Sequence, residues 1–233
     1  MAIKIIKGNI WNTKCQVIVN TVNCVGVMGA GIALEAKLRY PEMFKKYQEI
    51  CEAKQLNIGK LWLYTKSEPY WILNFPTKTT WDQPSKESYI MDGLIKFRQT
   101  YKDKSITSIA FPILGGLNGG LDEKRVIEIM MEYLKDLEID IEIYQYDAYA
   151  TDNFFLDLKH LILTSDLTSL AKTIKIQKRF LNIIFDELSK NNEIRQVNQL
   201  LKIKGIGIGT LEKIFAYLSA KLNRPGFIGD RFA

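Results

Sequence analysis

Histidine is nearly missing from this chain of 233 residues: His160 is the only one. A Ser–His–Asp or Cys–His mechanism would have to run through that imidazole, which stands in Asp157-Leu158-Lys159-His160-Leu161 with no nucleophile motif around it. Histidine-rich metal sites are excluded with it. Cysteine is scarce too. Cys15, Cys24 and Cys51 are odd in number and form no CxxC pair, so each reads as a small buried hydrophobe rather than as part of a disulfide frame or zinc site. Neither a metal nor a cofactor is expected. No run approaches eighteen apolar residues, which excludes a membrane span. The start, Ala2-Ile3-Lys4-Ile5-Ile6-Lys7, holds no apolar targeting segment, so the expected compartment is the cytoplasm. The phosphate-binding patterns Gly-x4-Gly-Lys-Ser/Thr and Gly-x-Gly-x-x-Gly are also missing, which disfavours nucleoside triphosphates and the usual dinucleotides.

What is present is ordinary in bulk and uneven in distribution. Apolar residues are 47% and charged residues 25% of the chain, enough for one good-sized domain and a smaller one. Of 32 basic and 26 acidic residues, 13 and 7 fall from Asn153 onward, leaving 19 and 19 before it. The whole charge of +6 therefore belongs to the last third. A localised basic surface suits a polyanion, although a solvated helix face has the same composition.

Strand patterns rich in Ile, Val, Tyr and Trp run over 2–7, 16–20, 61–65, 71–75, 106–111 and 140–146. Helical patterns lie over 31–40, 41–53, 85–101 and 122–137, with Pro41 suited to a first helical turn. This alternation predicts an α/β domain over 1–152, with a mixed, mostly parallel sheet between helices and a ligand site beyond the carboxyl ends of the strands. Beyond the boundary interval 150–165 no strand pattern follows. Helices are expected over 168–189, 193–203 and 210–222, forming a small all-α domain over 165–233, with Ser165 or Asp166 as the first N-cap. The tail 223–233 reads as irregular.

Two glycine-bearing loops carry the chemistry. In the first, Asn20-Thr21-Val22-Asn23 leads to Met28-Gly29-Ala30-Gly31-Ile32-Ala33, where small residues open a helix. In the second, Phe111-Pro112-Ile113-Leu114-Gly115-Gly116-Leu117-Asn118-Gly119-Gly120-Leu121-Asp122 repeats the order strand, loop, helix. Small residues admit a ligand close to the backbone, and a helix start offers free N–H groups to an anion. Two such loops at neighbouring strand ends would hold a diphosphate from both sides.

These segments, together with Asn74-Phe75-Pro76-Thr77-Lys78-Thr79-Thr80-Trp81 and the stretch 85–97, resemble the macrodomain family, and within it the DarG-like branch of ADP-ribosyl glycohydrolases. The resemblance covers most of residues 3–146 with its motifs in the right order. It implies a macrodomain fold, an ADP-ribose pocket and hydrolysis of ADP-ribosyl links on DNA-linked thymidine. By the same resemblance, Asn23 orients the distal ribose and Asn20 lies in the ligand site. Gly29, Ala30, Gly31, Ile32 and Ala33 form one phosphate loop, and Leu114, Gly116, Leu117, Asn118 and Gly119 the other. Lys78 is the catalytic lysine, with Thr79 beside the ligand and Asp122 as acid partner. Tyr144 or Tyr146 stacks near the adenine. Asn9 and Ile10 stand where the family usually has Asp-Ile; the amide oxygen of Asn9 can still accept from the adenine amino group, without charge. A lysine amine adds to an opened sugar aldehyde only when neutral, and an apolar wall of Phe75, Pro76 and Trp81 is expected to desolvate it. Read alone, Lys78 is a surface lysine and Asp122 a residue favoured by a helix N-terminus.

Near the end, Leu200-Leu201-Lys202-Ile203-Lys204-Gly205-Ile206-Gly207-Ile208-Gly209-Thr210-Leu211 resembles a helix–hairpin–helix, in which Lys202, Lys204, Gly205, Gly207 and Gly209 would face a nucleic-acid phosphate. The same residues also fit a plain helical turn or a protein contact. The expected partners are thus an ADP-ribosylated substrate, DNA through the basic module and an opposing ADP-ribosyltransferase toxin, with no membrane. Two other readings stay open: release of ADP-ribose from proteins or small molecules, and a reader that binds ADP-ribose without cutting it.

Overall fold

The computed structural model describes residues 2–151, 153–190 and 193–222. Two compact units part between Asp147 and Ala148. In the first, β1 (Ile3–Gly8), a 3-10 turn (Ile10–Asn12), β2 (Val17–Val22), α1 (Gly31–Arg39), α2 (Pro41–Glu52), β3 (Trp62–Tyr64), β4 (Trp71–Pro76), α3 (Glu87–Thr100), β5 (Ser108–Pro112), α4 (Glu123–Leu134) and β6 (Asp140–Tyr146) follow in chain order. The strands form one sheet in the order β1-β6-β5-β2-β4-β3. All neighbours run parallel except the β3–β4 edge pair. The expected mixed, mostly parallel sheet is what forms.

Strand alternation decides which helices cover which face. Val17 and Val19 of β2 pack with Ile90, Leu94 and Phe97 of α3 and Val126, Ile129 and Met130 of α4. Ile18 and Val22 point the other way, into Ala33 and Ala36 of α1 and Met43, Tyr47 and Cys51 of α2. A strand buried on both faces needs a continuous apolar run, and Val-Ile-Val supplies it. The approach of α3 is close: a Cβ at Gly93 would lie 2.1 Å from the ring of Phe75 on β4. Phe75 is fully buried there. It therefore cannot join Trp81, which is 64% exposed, in the expected desolvating wall around Lys78. Period 2 along β4 sends Phe75 to the α3 face, and that part of the expectation is corrected.

The second unit is all-α, with α5 (Asn153–Thr164), α6 (Leu167–Ile174), α7 (Lys178–Lys190), a 3-10 helix (Val197–Lys202) and α8 (Ile208–Leu222). Its buried side chains include Phe155, Leu158, Leu170, Leu181, Ile184, Leu200, Leu211 and Phe215. Phe154 stacks on Phe215 with ring centroids 4.6 Å apart. Asp166 caps α6, accepting from the Ser169 N–H at 2.8 Å. Three expectations need correction. The helix over 168–189 is two helices, broken where Lys175 adopts φ +61°, in the left-handed region, and the N–H groups of Lys175 and Ile176 close back onto Lys172 and Ala171. No Gly or Pro marks that break, so the apolar period runs through it. The helix expected over 193–203 is a 3-10 helix over Val197–Lys202, capped reciprocally by Gln196 and Gln199. α5 fills the interval read as a boundary, with Phe155, Leu158, Leu161 and Ile162 buried on one side and Asn153, Asp157, His160 and Thr164 along the other. The tail 223–233 lies outside the described residues. Among the described residues no helix is long and apolar enough to cross a membrane.

The α3–β4 contact is testable. Gly93→Ala gains about 1 kcal/mol of helix propensity. It also drives a methyl group into Phe75, and overpacking of a buried contact costs about 1–3 kcal/mol. The expected net effect is destabilisation by up to about 2 kcal/mol, read as a lower urea midpoint with an unchanged slope.

Candidate functional site

The carboxyl ends of the five parallel strands lie on one edge of the sheet. From β2 the chain moves outward to β4 and then returns to β5 on the other side of β2, so the connections after β2 and β5 diverge there. Such a reversal leaves a crevice above the strand ends. The loops 23–30, 77–86 and 113–122 rise around it.

Hydrogen bonds stitch the three loops together. The Cys24 N–H donates to Thr79 O at 3.0 Å, and Thr77 N–H to Val22 O at 2.9 Å. The Cys24 thiol donates to Lys78 O at 3.4 Å. Burial, then the neighbouring Cys51, pushes that thiol up to about 11, which keeps it protonated and a donor at neutral pH. On the other side the Lys78 Nζ donates to the Asn118 carbonyl. The loop after β5 is a tight coil in which Gly119 N–H reaches Gly116 O at 3.0 Å and Gly119 O accepts from Ser85 N–H at 2.9 Å. Only glycine fits at 119: a Cβ would meet Gly115 O at 2.2 Å and Ser85 Oγ at 2.5 Å.

The first glycine loop supplies bare N–H groups. Ala30 starts α1 without a side-chain cap. Gly29, Ala30 and Gly31 are exposed, whereas Ile32 and Ala33 turn their side chains to the core and leave their backbone at the helix start. Gly31 has φ +55°, and a Cβ there would sit 2.7 Å from Asn118 Nδ2. Asn118 thus touches the lysine with its carbonyl and the start of α1 with its amide. In the second loop Leu114 and Gly116 are buried and Leu117 is exposed.

Asn23 braces the loop that follows it. Its Oδ1 accepts from Val25 N–H at 3.0 Å and Val27 N–H at 3.3 Å, and its Nδ2 donates to Val27 O at 2.6 Å. From α2 the buried Tyr47 hydroxyl donates to the Asn23 carbonyl at 2.8 Å, with Asn23 Oδ1 at 3.0 Å. Nδ2 carries a second N–H, which remains available to a ligand hydroxyl. Tyr47 is a brace that periodicity alone files as core; burial holds its hydroxyl protonated. Beneath the site, Asn20 Nδ2 donates to Asn74 Oδ1 at 2.9 Å, while Asn20 Oδ1 is buried with no hydrogen-bond partner among the described residues.

The remaining sequence candidates divide. Asn9 is buried and its Oδ1 accepts from Trp11 N–H at 3.0 Å, capping the 3-10 turn that holds the buried Ile10. Tyr144 is buried and donates to Glu142 at 3.0 Å, whereas Tyr146 at the strand end is 46% exposed. Of the two tyrosines left open, only Tyr146 presents a ring. Thr79 is exposed. Asp122 is the N-cap of α4, accepting from Arg125 N–H at 2.9 Å. A different carboxylate, Asp82, feels the charge of Lys78. It is held below the usual carboxylate range first by the Thr80 hydroxyl, then by its own backbone N–H, with Lys78 adding a smaller pull. Its place four residues after the lysine was the available signal.

In the second unit Lys202, Lys204, Gly205, Gly207 and Gly209 are all exposed around the turn that enters α8. Gly205 has φ +90°, Ile206 is buried, and its N–H closes the turn onto Ile203 O at 3.0 Å.

Gly119→Ala is expected to open the second loop and to weaken binding of a diphosphate ligand there at least tenfold in calorimetry, since its Cβ would collide with backbone that cannot yield.

The Macro domain family model matches residues 19–130. A Mycobacterium tuberculosis protein named DNA ADP-ribosyl glycohydrolase is 43% identical over 141 residues, which is 59% of this chain and 40% of that protein. The solved macrodomain of Mycobacterium tuberculosis DarG is similar with a TM-score of 0.59 and 42% identity, over 61% of this chain and 97% of that one. A Thermosipho africanus DNA ADP-ribosyl transferase–glycohydrolase fusion protein is 32% identical over 61% of this chain and 41% of its own length. A solved Thermosipho africanus DarTG in complex with ADP-ribose matches with a TM-score of 0.59 and 33% identity, over 62% of this chain and 41% of that one. The chain spans about two fifths of the length of the curated relatives it matches. With 42% identity over 97% of a solved macrodomain, this chain belongs to the macrodomain family.

Proposed function

We propose that the macrodomain binds ADP-ribose across its loops and hydrolyses the bond joining ADP-ribose to DNA, at a thymidine base. The observation that carries this reading is the Lys78 amine held on the Asn118 carbonyl, which sets a nucleophilic nitrogen between the loops after β4 and β5. The relatives named for DNA ADP-ribosyl glycohydrolase activity support the reaction and the acceptor.

The diphosphate lies between the uncapped start of α1 and the glycine coil 114–119, where N–H groups and a helix N-terminus favour anionic oxygens. Asn9 and Tyr146, at the β1 and β6 ends, take the adenine. The spare N–H of Asn23 takes a hydroxyl of the distal ribose. Breaking the glycosidic bond builds positive charge at the anomeric carbon, which a nearby carboxylate stabilises. Asp82, four residues after the lysine, and Asp122, which spends one oxygen on the α4 cap, are the candidates for that task. Asp122 keeps a second oxygen for a proton in transit. As the bond to the base breaks, the Lys78 amine bonds to the anomeric carbon, the ring opens to a lysine Schiff base, and water adds at that carbon, expelling the amine and freeing ADP-ribose. In the net reaction the water oxygen ends on the anomeric carbon and a proton on the released base.

The basic second unit holds the strand, with Lys202, Lys204 and the Gly205–Gly209 backbone toward phosphate. A cognate ADP-ribosyltransferase is the opposing partner, which the fused Thermosipho africanus relative supports. ADP-ribosylated protein is the alternative acceptor, favoured by the balance of 19 basic and 19 acidic residues before Asn153.

Lys78→Ala should lower release of ADP-ribose from an ADP-ribosylated oligonucleotide by at least a hundredfold. Affinity for free ADP-ribose should stay within a few-fold, because the loops carry binding and the amine carries chemistry. Full turnover in that variant removes Lys78 from the mechanism. Release from protein but not DNA selects the alternative, and binding without release from either selects a reader.

Lys202→Glu with Lys204→Glu should weaken DNA binding and flatten the log–log salt dependence. Two lost phosphate contacts remove about 1.8 units of slope, or about 1.4 on single strands. Exposed lysines add little to stability, so the fold should persist. An unchanged slope across a salt titration argues for a protein contact instead.

A further inference from the structure

The three loops tied to the lysine carry side chains that a folded protein normally hides. Val25 is 48% exposed, Val27 39%, Trp81 64% and Leu117 69%. They come from three different loops, and each is within three residues of an atom in the stitching. Val25 follows Cys24, which is bonded to both Lys78 and Thr79 carbonyls. Val27 is held by Asn23. Leu117 precedes Asn118, the residue on which the lysine amine rests. Trp81 lies three residues beyond Lys78, on a loop whose Lys78 and Thr79 carbonyls accept from Cys24 and whose Ser85 N–H donates to Gly119 O. The indole is therefore carried on a loop held near both ends, yet it contributes little to the core.

Sheet order places this patch relative to the ligand. The adenine is taken at β1 and β6, whereas Trp81 follows β4, which lies beyond β5 and β2 from β6. Three strand spacings separate β6 from β4, about 14 Å. The patch thus stands at the far end of the ligand, past the distal ribose, where the acceptor must sit. Phosphates and sugar hydroxyls are served by N–H groups and the lysine; an exposed aromatic face suits a flat, apolar partner. Nucleobases stack on such faces with little regard to sequence.

We propose that Trp81, with Leu117 and Val25 on the adjoining loops, is the acceptor subsite, on which the nucleobase bearing the ADP-ribosyl group stacks. This rests on the reading of the pocket as an ADP-ribosyl glycohydrolase acting on nucleic acid. Trp81 sets acceptor preference, and the ADP-ribose moiety is bound without it.

The test uses the full chain as wild type, Trp81→Ala and Trp81→Phe, with an ADP-ribosylated single-stranded oligonucleotide, an ADP-ribosylated peptide and free ADP-ribose. Trp81→Ala should lower kcat/KM on the oligonucleotide about tenfold or more, mainly through KM, and Trp81→Phe should restore most of it. Affinity for ADP-ribose and turnover of the peptide should change less than twofold. An unchanged oligonucleotide reaction, or an equal loss on peptide or in ADP-ribose affinity, overturns the subsite. If the wild type releases nothing from the oligonucleotide, the hydrolase reading fails separately. The subsite is then judged by binding: wild type should hold the ADP-ribosylated oligonucleotide about tenfold tighter than Trp81→Ala, and equal affinities overturn it.

Discussion

The macrodomain unit is organised by one strand that must be covered on four sides. β2 pairs with β4 along Val17 to Val22 and with β5 at Val17 and Ile18, and both of its faces are packed under helices. Its backbone groups are satisfied only by those two neighbours, and an unpaired buried group costs as much as a lost hydrogen bond. Seating β2 in the middle forces the chain to leave on one side and return on the other. That reversal separates the loops after β2 and β5 and makes the crevice. Position of the site is thus a by-product of how the strand is paired.

What fills the crevice is governed by polar satisfaction. Loops at a strand end carry N–H and C=O groups that neither sheet nor helix uses. Here many are spent on one another: Cys24 on Thr79, Thr77 on Val22, Ser85 on Gly119, the Lys78 amine on Asn118. Each such bond contributes about 1 kcal/mol net, yet leaving its members unpaired and buried would cost up to about 3 kcal/mol. The loops are therefore held in place chiefly by the penalty of opening. The groups left over, at the uncapped start of α1, are those an anion can use. Glycine at 119 is needed because the coil brings backbone within reach of backbone, a steric demand separate from any charge effect.

The second unit reaches its shape by a different balance. It is small, so its core of Phe155, Leu181, Leu200 and Phe215 must be assembled from short helices joined at sharp turns. Lys175 accepts a left-handed conformation because the N–H groups of Lys175 and Ile176 find the preceding helix's carbonyls. Gly205 reaches its own positive φ without a Cβ to oppose it. The same turn leaves Lys202 and Lys204 in solvent while Ile206 is drawn inside.

The strands, the first four helices and the two glycine loops were legible in the residues themselves, because period 2, period 3.6 and Gly punctuation are local signals. The turn at Asn23 and the tight coil at Gly119 were legible too, since an asparagine that braces its own loop and a backbone packed on backbone restrict which residues fit. What the chain's order could not reveal lies between segments. Phe75 sits beside Lys78 in sequence but under α3 in space, because adjacent strand residues face opposite sides. Asp122 stands next to a glycine loop, yet its carboxylate caps α4. Tyr47, twenty-four residues from Asn23, braces it across the face of the sheet. α5 also carries a helical period, Phe155, Leu158, Leu161 and Ile162, inside the interval expected to be a boundary. Local pattern determined which elements exist. The pairing of β2 and the close contacts it imposes decided which side chains meet, since side-chain contact depends on separation in space and the sequence records only separation along the chain.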